Sequence, residues 1–507
     1  MKKLIRIFTV LLFVNITVFS QVNRQEDFEK VIRHFKKEYN YEKSKSAEFL
    51  LKNISIHKSI DIEWLNKNKE AFSFSEFDYP DYKVAYKDLF KKAKTLGLKP
   101  NKKVTHDIKV ISPEYLIENI ELAYNSWKEN PWATSYSFEN FKEYILPYRN
   151  LIAPLEDWRK DYQNLAYEII QNATIDDSND PVEVCSALVS GLDNMSFVNK
   201  RIDPIPILSP QQMLFRKQGS CPDLANFSVF LCRAVGLATT FDYTPHYASS
   251  SNRHFWNTVI DKEGNHIPFN SNALNQSDES LPYVYNPNRK RLGKVYRKTY
   301  SLQKSALACK VSKDKIPAGF LNEKNIIDVT KEYVPVTDLK INANQFEENI
   351  GFVNVYNLSK WKVIGFGEKD DDKMVFKDLG REVVYLPSYL KSKKMKYSTY
   401  PYVIDKKGSV KELVPSQDRK TVTISRENEY KNGYKDFNTV EILDGDSYNL
   451  YYWKNGWNSL GNATADKGKL TFNNVPANAL YLLLPKTPDK FERIFTLEEG
   501  TNTIFWY

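Results

Sequence analysis

The sequence predicts a multidomain α+β protein with a helical N-terminal region, a central α+β domain and two tandem β-sandwich modules. Three observations carry that prediction. Apolar residues recur at helical spacing through the first 150 positions. A helix headed by a cysteine, followed by a strand hairpin, occupies residues 219–270. From about residue 330 the chain turns to short β-like runs, and one three-aromatic pattern occurs twice.

At 507 residues the chain exceeds what one core supports. The expected divisions are 1–20, 21–150, 151–330, 331–425 and 426–507. Hydrophobic content of 42% and aromatic content of 14% exclude wholesale disorder. Met1 to Gln21 has the pattern of a secretory signal: Lys2, Lys3 and Arg6, then an apolar run from Ile7 to Phe19, then the small Ser20. Cleavage is expected near Ser20, giving an exported, periplasmic or cell-surface protein with no transmembrane segment. The net charge of +9 falls to about +6 once those three residues are removed. It is spread thinly, without a basic block, so nucleic acid is not an expected partner.

Residues 24–39, 44–54, 81–96 and 113–129 each read as amphipathic helices, punctuated by Pro80, Pro100, Pro131 and Pro147. Trp127, Trp132 and Trp158 are expected in the core or at a domain interface. Helices follow over 155–172, 181–195 and 209–216. The next begins at Ser220 or Cys221, takes Pro222 and Asp223 in its first turn, and ends at Gly236. It is apolar on nearly every side and should be central. Strands at 238–243, 254–261 and 266–270 follow, the last two joined by a turn at Asp261-Lys262-Glu263-Gly264.

In the C-terminal region Trp361, Phe376 and Tyr385 recur as Trp457, Phe472 and Tyr481, 96 positions later. Leu379 and Val475 follow each Phe by three, and Val384-Tyr385-Leu386-Pro387 echoes Leu480-Tyr481-Leu482-Leu483. Two similar sandwiches in tandem satisfy this repeat. The same rings could serve as sugar-stacking platforms, although sandwich cores require the same spacing.

A thiol is a weak nucleophile until ionised, and a helix N-terminus and a neighbouring imidazole both favour the thiolate. Cys221 has the first, and His254 can supply the second. His254 needs a group to orient it. Asp261 lies seven residues along the same strand, about 23 Å away, whereas Asn270 returns opposite or nearly opposite His254. Cys221, His254 and Asn270 are therefore the candidate catalytic residues. Cys221 and Cys232 are about 16 Å apart on one helix and cannot bridge each other; Cys185 with Cys309, or no disulfide at all, is the expectation. Cys232 and Trp256 are expected in the core, and His246 on a solvated loop. Asp370-Asp371-Asp372 lacks the ligand spacing of a calcium loop, and no zinc spacing or phosphate-binding glycine loop occurs, so no metal or cofactor is expected.

Gly219-x-Cys221-x-Asp223-x-Ala225, then His254-Phe255-Trp256, then Pro268-Phe269-Asn270, resemble the transglutaminase-like superfamily, the papain-type thiol fold also found in peptide N-glycanases and bacterial proteases. The resemblance covers about residues 155–290. It implies Cys221 as nucleophile and His254 as base. The family's third residue is usually Asp; Asn270 stands there, as Asn does in papain-type enzymes. The helical N-terminal region with paired β modules also resembles large exported bacterial members. The resemblance implies an enzyme acting on amide bonds of a peptide, protein or glycopeptide through an acyl-enzyme. Hydrolysis is favoured over cross-linking, because nothing suggests calcium control or exclusion of water. The alternative is an inert scaffold that binds peptides or glycans through its C-terminal modules.

Overall fold

A computed structural model of the chain describes residues 24–192, 195–248, 253–271, 290–425, 441–486, 493–498 and 503–507. The expected targeting segment lies outside the described residues. The chain divides into two compact units. One holds the residues through Phe241, Phe255–Tyr283 and Lys298–Leu302, and the other holds Asp242–His254, Val284–Arg297 and Gln303–Tyr507.

The first unit opens with helices α1 (residues 24–37) and α2 (Tyr41–Asn53), then strands β1 (Lys58–Leu65) and β2 (Ala71–Phe72). Helix α3 (Tyr82–Leu96), strand β3 (Lys99–His106) and helix α4 (Pro113–Glu129) follow. The helices start where polar caps stand. Asp81 accepts from the N–H of Lys83, and Ser112 accepts from that of Tyr115, with Pro113 in the first turn. The antiparallel sheet β2-β1-β3 was not expected from the sequence. Its reason is visible in β3, which is polar and exposed along most of its length and so shows no alternation. Pairing with β1, Ile60 opposite Val104 and Trp64 opposite Pro100, fixes it instead.

Helices α5 (Arg159–Asn172), α6 (Pro181–Ser190) and α7 (Pro210–Arg216) come next, then α8 (Cys221–Ala234). Two-residue strands β4 (Ser196–Phe197) and β5 (Gln218–Gly219) pair in parallel just before α8. Helix α6 stops earlier than its apolar spacing suggests. Gly191 packs so close to α5 that a Cβ there would stand 2.4 Å from Ile169 Cγ2. Strands β6 (Thr239–Thr244), β7 (His254–Ile260) and β8 (His266–Phe269) complete the region. One continuous core runs from Val31 and Phe35 through Leu116, Trp127, Tyr162, Leu188 and Phe227 to Val259 and Phe269. The N-terminal helices and the central region therefore share a single interior. Trp132 and Trp158 are buried in it as expected.

In the second unit, β9 (Tyr296–Lys298) pairs with the end of β6, and β10 (Ile326–Asp328) precedes the tandem modules. Strands β11 (Val336–Asn342), β12 (Ile350–Asn357), β13 (Lys360–Asp370), β14 (Lys373–Gly380) and β15 (Val383–Lys391) build the first. After β16 (Lys394–Tyr397), β17 (Tyr402–Ile404) and β18 (Val410–Glu412) come β19 (Arg419–Ser425), β20 (Ser447–Trp453), β21 (Trp457–Thr464), β22 (Lys469–Pro476) and β23 (Tyr481–Pro485). The pairing repeats. β12 pairs with β13 and β15, as β20 pairs with β21 and β23, while β11 pairs with β14 as β19 does with β22. Both modules are antiparallel and sandwich-like.

The aromatic repeat has a structural cause. Tyr385 and Tyr481 face inward, and each hydroxyl donates to a carbonyl five residues earlier, of Gly380 and Pro476. Val384 and Leu386 face outward and meet Leu480 and Leu482 in one shared cluster. Both faces of these strands are buried, which explains their continuous apolar character. Tyr385 and Tyr481 are core residues and offer no face to a sugar. Trp361 and Trp457 stand in the shared cluster, edge-on to Tyr356 and Trp453. Asp371-Asp372 forms the tight turn between β13 and β14, with Asp371 at φ +49°.

His57 ties the first unit together. Its ring stacks on Tyr300 at 4.2 Å, and Nε2 donates to the Tyr300 carbonyl at 3.0 Å. Burial, helped by the Arg149 charge, lowers its pKa to about 3. A histidine held neutral in the folded chain titrates near 6.5 when unfolded, so its stabilisation is complete above that pH. It is lost as pH falls towards 3, by on the order of 4 kcal/mol. Urea unfolding between pH 7 and 3.5 should show this loss, and His57→Gln should flatten the slope relative to wild type.

Candidate functional site

Cys221 is the first residue of α8, half-buried, in a helix whose residues from Asp223 to Ala234 are all buried. Ser220 caps the helix. The Asp223 carboxylate accepts from the Ser220 N–H at 2.9 Å and from its hydroxyl, closing a capping box. Cys221 therefore occupies the first helical position and Pro222 the second. Asp223 has further partners: the Leu208 N–H at 2.9 Å and the Arg201 guanidinium at 3.3 Å. Arg201 also meets Asp203, which Arg216 holds at 2.6 Å, and Arg216 binds Glu76. A buried chain of alternating charges thus ends at Asp223, two residues after the cysteine, and Asp223 in turn holds Ser220 just before it.

Gly219 is required by packing. A Cβ there would lie 2.7 Å from Asp223 Cβ and 3.2 Å from Met213 sulfur. The segment is also clamped laterally, since the N–H groups of Ser196 and Val198 donate to the carbonyls of Lys217 and Gly219. Gln218 accepts from the Tyr82 hydroxyl. At the far end of α8, Gly236 adopts φ +80°, where a Cβ would stand 2.4 Å from the Ser126 carbonyl. The last carbonyls are met by side chains: Ala234 by Ser126, and Val235 by Asn130 and Trp132.

His254 opens β7, and the division between the two units falls at the His254–Phe255 bond. Its ring lies parallel to that of Tyr247, 6.4 Å between centroids. Tyr247 is buried, its carbonyl accepts from Asn357, and Lys290 stands over its face. Asn270 follows β8 directly. The β7–β8 register pairs Asn257 with Phe269 and Ile260 with His266. Extended by one step, it sets Asn270 opposite Trp256, two residues along β7 from His254 and on the same side of the pleat.

Asn257 escaped the sequence reading. Wholly buried, it donates to the Ala225 carbonyl of α8 at 2.8 Å and accepts from the hydroxyl of Ser271, the residue after Asn270. One side chain thereby ties β7 to the second turn of the Cys221 helix and to the end of β8. The available signal was an amide in the middle of the apolar run Phe255–Ile260, since buried polar groups require partners. Cys232 is core as expected. His246 is half-buried instead of solvated, and burial beside Lys362 and Arg253 lowers its pKa to about 4.

No disulfide joins any of the four cysteines, so the Cys185–Cys309 pairing is not formed; Cys185 is buried and Cys309 exposed. Among the described residues, His34, Glu38 and Glu121 converge closely enough to hold a metal ion. Lys43 already pairs with both carboxylates, reaching Glu121 at 2.5 Å and Glu38 at 3.9 Å. No described helix is long and apolar enough to cross a membrane.

Asn257→Leu removes the donor to Ala225 and the acceptor for Ser271 while keeping the volume. The expected cost is about 2–4 kcal/mol, because two buried polar groups lose their partners. Urea unfolding measures it. Asn257→Asp, which retains the acceptor for Ser271, should leave that bond but not the one to Ala225.

The profile of the transglutaminase-like superfamily matches residues 163–271. No curated protein matches the sequence. Among solved structures, a candidate cysteine protease of Cytophaga hutchinsonii is 19% identical, over 23% of this chain and 38% of that one, with a TM-score of 0.19. This chain thus spans well under half of that protein. Red sea bream transglutaminase is 10% identical, over 88% of this chain and 77% of that one, also with a TM-score of 0.19. With the profile spanning the Cys221 helix, the β7–β8 hairpin and Asn270, the central region of this protein is a transglutaminase-like domain.

Proposed function

We propose that the protein is an exported thiol enzyme that hydrolyses amide bonds of a peptide, protein or glycopeptide. The observation that carries the reading is Cys221 at the first position of a helix pinned at its start, its second turn and its end. Buried α-helix starts concentrate partial positive charge, and a thiolate is the form that this charge favours.

In the proposed cycle the Cys221 sulfur attacks the carbonyl carbon of the amide. Backbone N–H groups at the helix start stabilise the oxyanion. His254 takes the thiol proton and gives it to the leaving amine as the C–N bond breaks. Water then attacks the thioester, His254 removes its proton, and the acid and free thiol are released. Asn270 accepts from one imidazole nitrogen and sets which of the two faces the sulfur. The Asn257 bonds to Ala225 and Ser271 support this role, because they hold the residue next to Asn270 against the Cys221 helix.

Unfolded casein, a substrate rich in accessible amides, provides the test. Peptide cleavage and ammonia release are followed with and without a primary amine. Wild type should release products, and Cys221→Ala should lose at least about a thousandfold in rate. Activity surviving in Cys221→Ala would overturn the reading. Incorporation of the amine without net hydrolysis would assign transfer in place of hydrolysis.

A further inference from the structure

Two buried thiols face each other where the Cys221 helix meets α6. Cys185 lies on α6 and Cys232 on α8, 47 residues apart, with their sulfurs 3.9 Å from one another. Both are essentially inaccessible, at 0% and 1% exposure. They sit in the main core beside Val184, Leu188 and Leu231. A disulfide needs about 2.05 Å between sulfurs, so closure asks the two sulfurs to approach by about 1.9 Å between them.

We infer that Cys185 and Cys232 are a disulfide site that staples α6 to α8 when the chain folds in the presence of a disulfide oxidant. The oxidant class is a small-molecule or protein disulfide. A thiolate from one cysteine attacks the oxidant's S–S bond, forming a mixed disulfide and releasing one thiol. The second cysteine's thiolate attacks the protein sulfur of that mixed disulfide. The Cys185–Cys232 bond forms and a second thiol leaves, so the two protein thiols lose two electrons and two protons, and the oxidant gains both. Burial raises the Cys185 thiol well above its ordinary range. Closure therefore belongs to folding, before the core shuts, and not to the finished protein.

The site has a consequence for the remaining cysteines. A chain folding among oxidants must keep its nucleophile out of a bridge. Cys221 stands at the opposite end of α8 from Cys232, about 16 Å away. Pairing Cys232 with the sulfur it already touches leaves Cys221 reduced.

The full chain, denatured and reduced, is refolded with reduced and oxidised glutathione, denatured again, alkylated, and mapped by mass spectrometry. The inference expects a product lighter by two hydrogens, with Cys185 and Cys232 in one linked peptide pair and Cys221 and Cys309 alkylated. It also expects Tm to rise by about 5–10 °C over the reduced form. Four alkylated cysteines in the refolded chain, or a bridge that includes Cys221 or Cys309, would overturn it. Cys309→Ser alters only an exposed residue and must still form the bridge. Cys185→Ala must not, and Cys232→Ala gives an independent second readout should that variant fail to fold.

Discussion

The structure depends on holding one helix, α8, in a place where it has no polar face of its own. Everything from Asp223 to Ala234 is buried, so neither end can rely on water for its unpaired backbone groups. Asp223 within the helix holds the cap residue Ser220 at the start, Asn257 donates to the Ala225 carbonyl in the second turn, and Ser126, Asn130 and Trp132 meet the last carbonyls at the end. Three of these come from the N-terminal helical region. That region is therefore a structural part of the helix's environment, sharing one core with the transglutaminase-like domain.

The cysteine gains from this arrangement by position. Cys221 is half-buried at the one point where the helix leaves the core. The buried chain Glu76–Arg216–Asp203–Arg201–Asp223 fixes that point through alternating charges. Breaking such a chain by removing one member leaves an uncompensated charge, which costs far more than the intact pairs contribute. The N-terminal turn is in this sense over-determined, as a site that must present a sulfur in one orientation requires.

Much of this was legible in the sequence, and the reasons differ by element. The helices over 24–37, Tyr82–Leu96 and Pro113–Glu129 announced themselves by apolar spacing and caps, and the cysteine helix by Ser220, Pro222 and Gly236. The two-module repeat was legible because the inward Tyr385 and Tyr481 are constrained alike in both copies. Strand β3 was not, since Lys99–His106 gains its order from pairing with β1 and not from a buried face. Asn257 was not, because its partner Ala225 is a backbone carbonyl that any residue would supply. The proximity of Cys185 to Cys232 was invisible for another reason: it follows from how α6 packs on α8, and no spacing along the chain encodes it.

The central claim is that Cys221 is an activated thiol and not a buried structural one. The pH dependence of its alkylation by iodoacetamide, followed by mass spectrometry in wild type and His254→Ala, tests that claim most directly. The account predicts reaction well below pH 8 in wild type and an apparent pKa that rises when His254 is removed. A Cys221 that reacts only above pH 8, or whose profile is indifferent to His254, would contradict it.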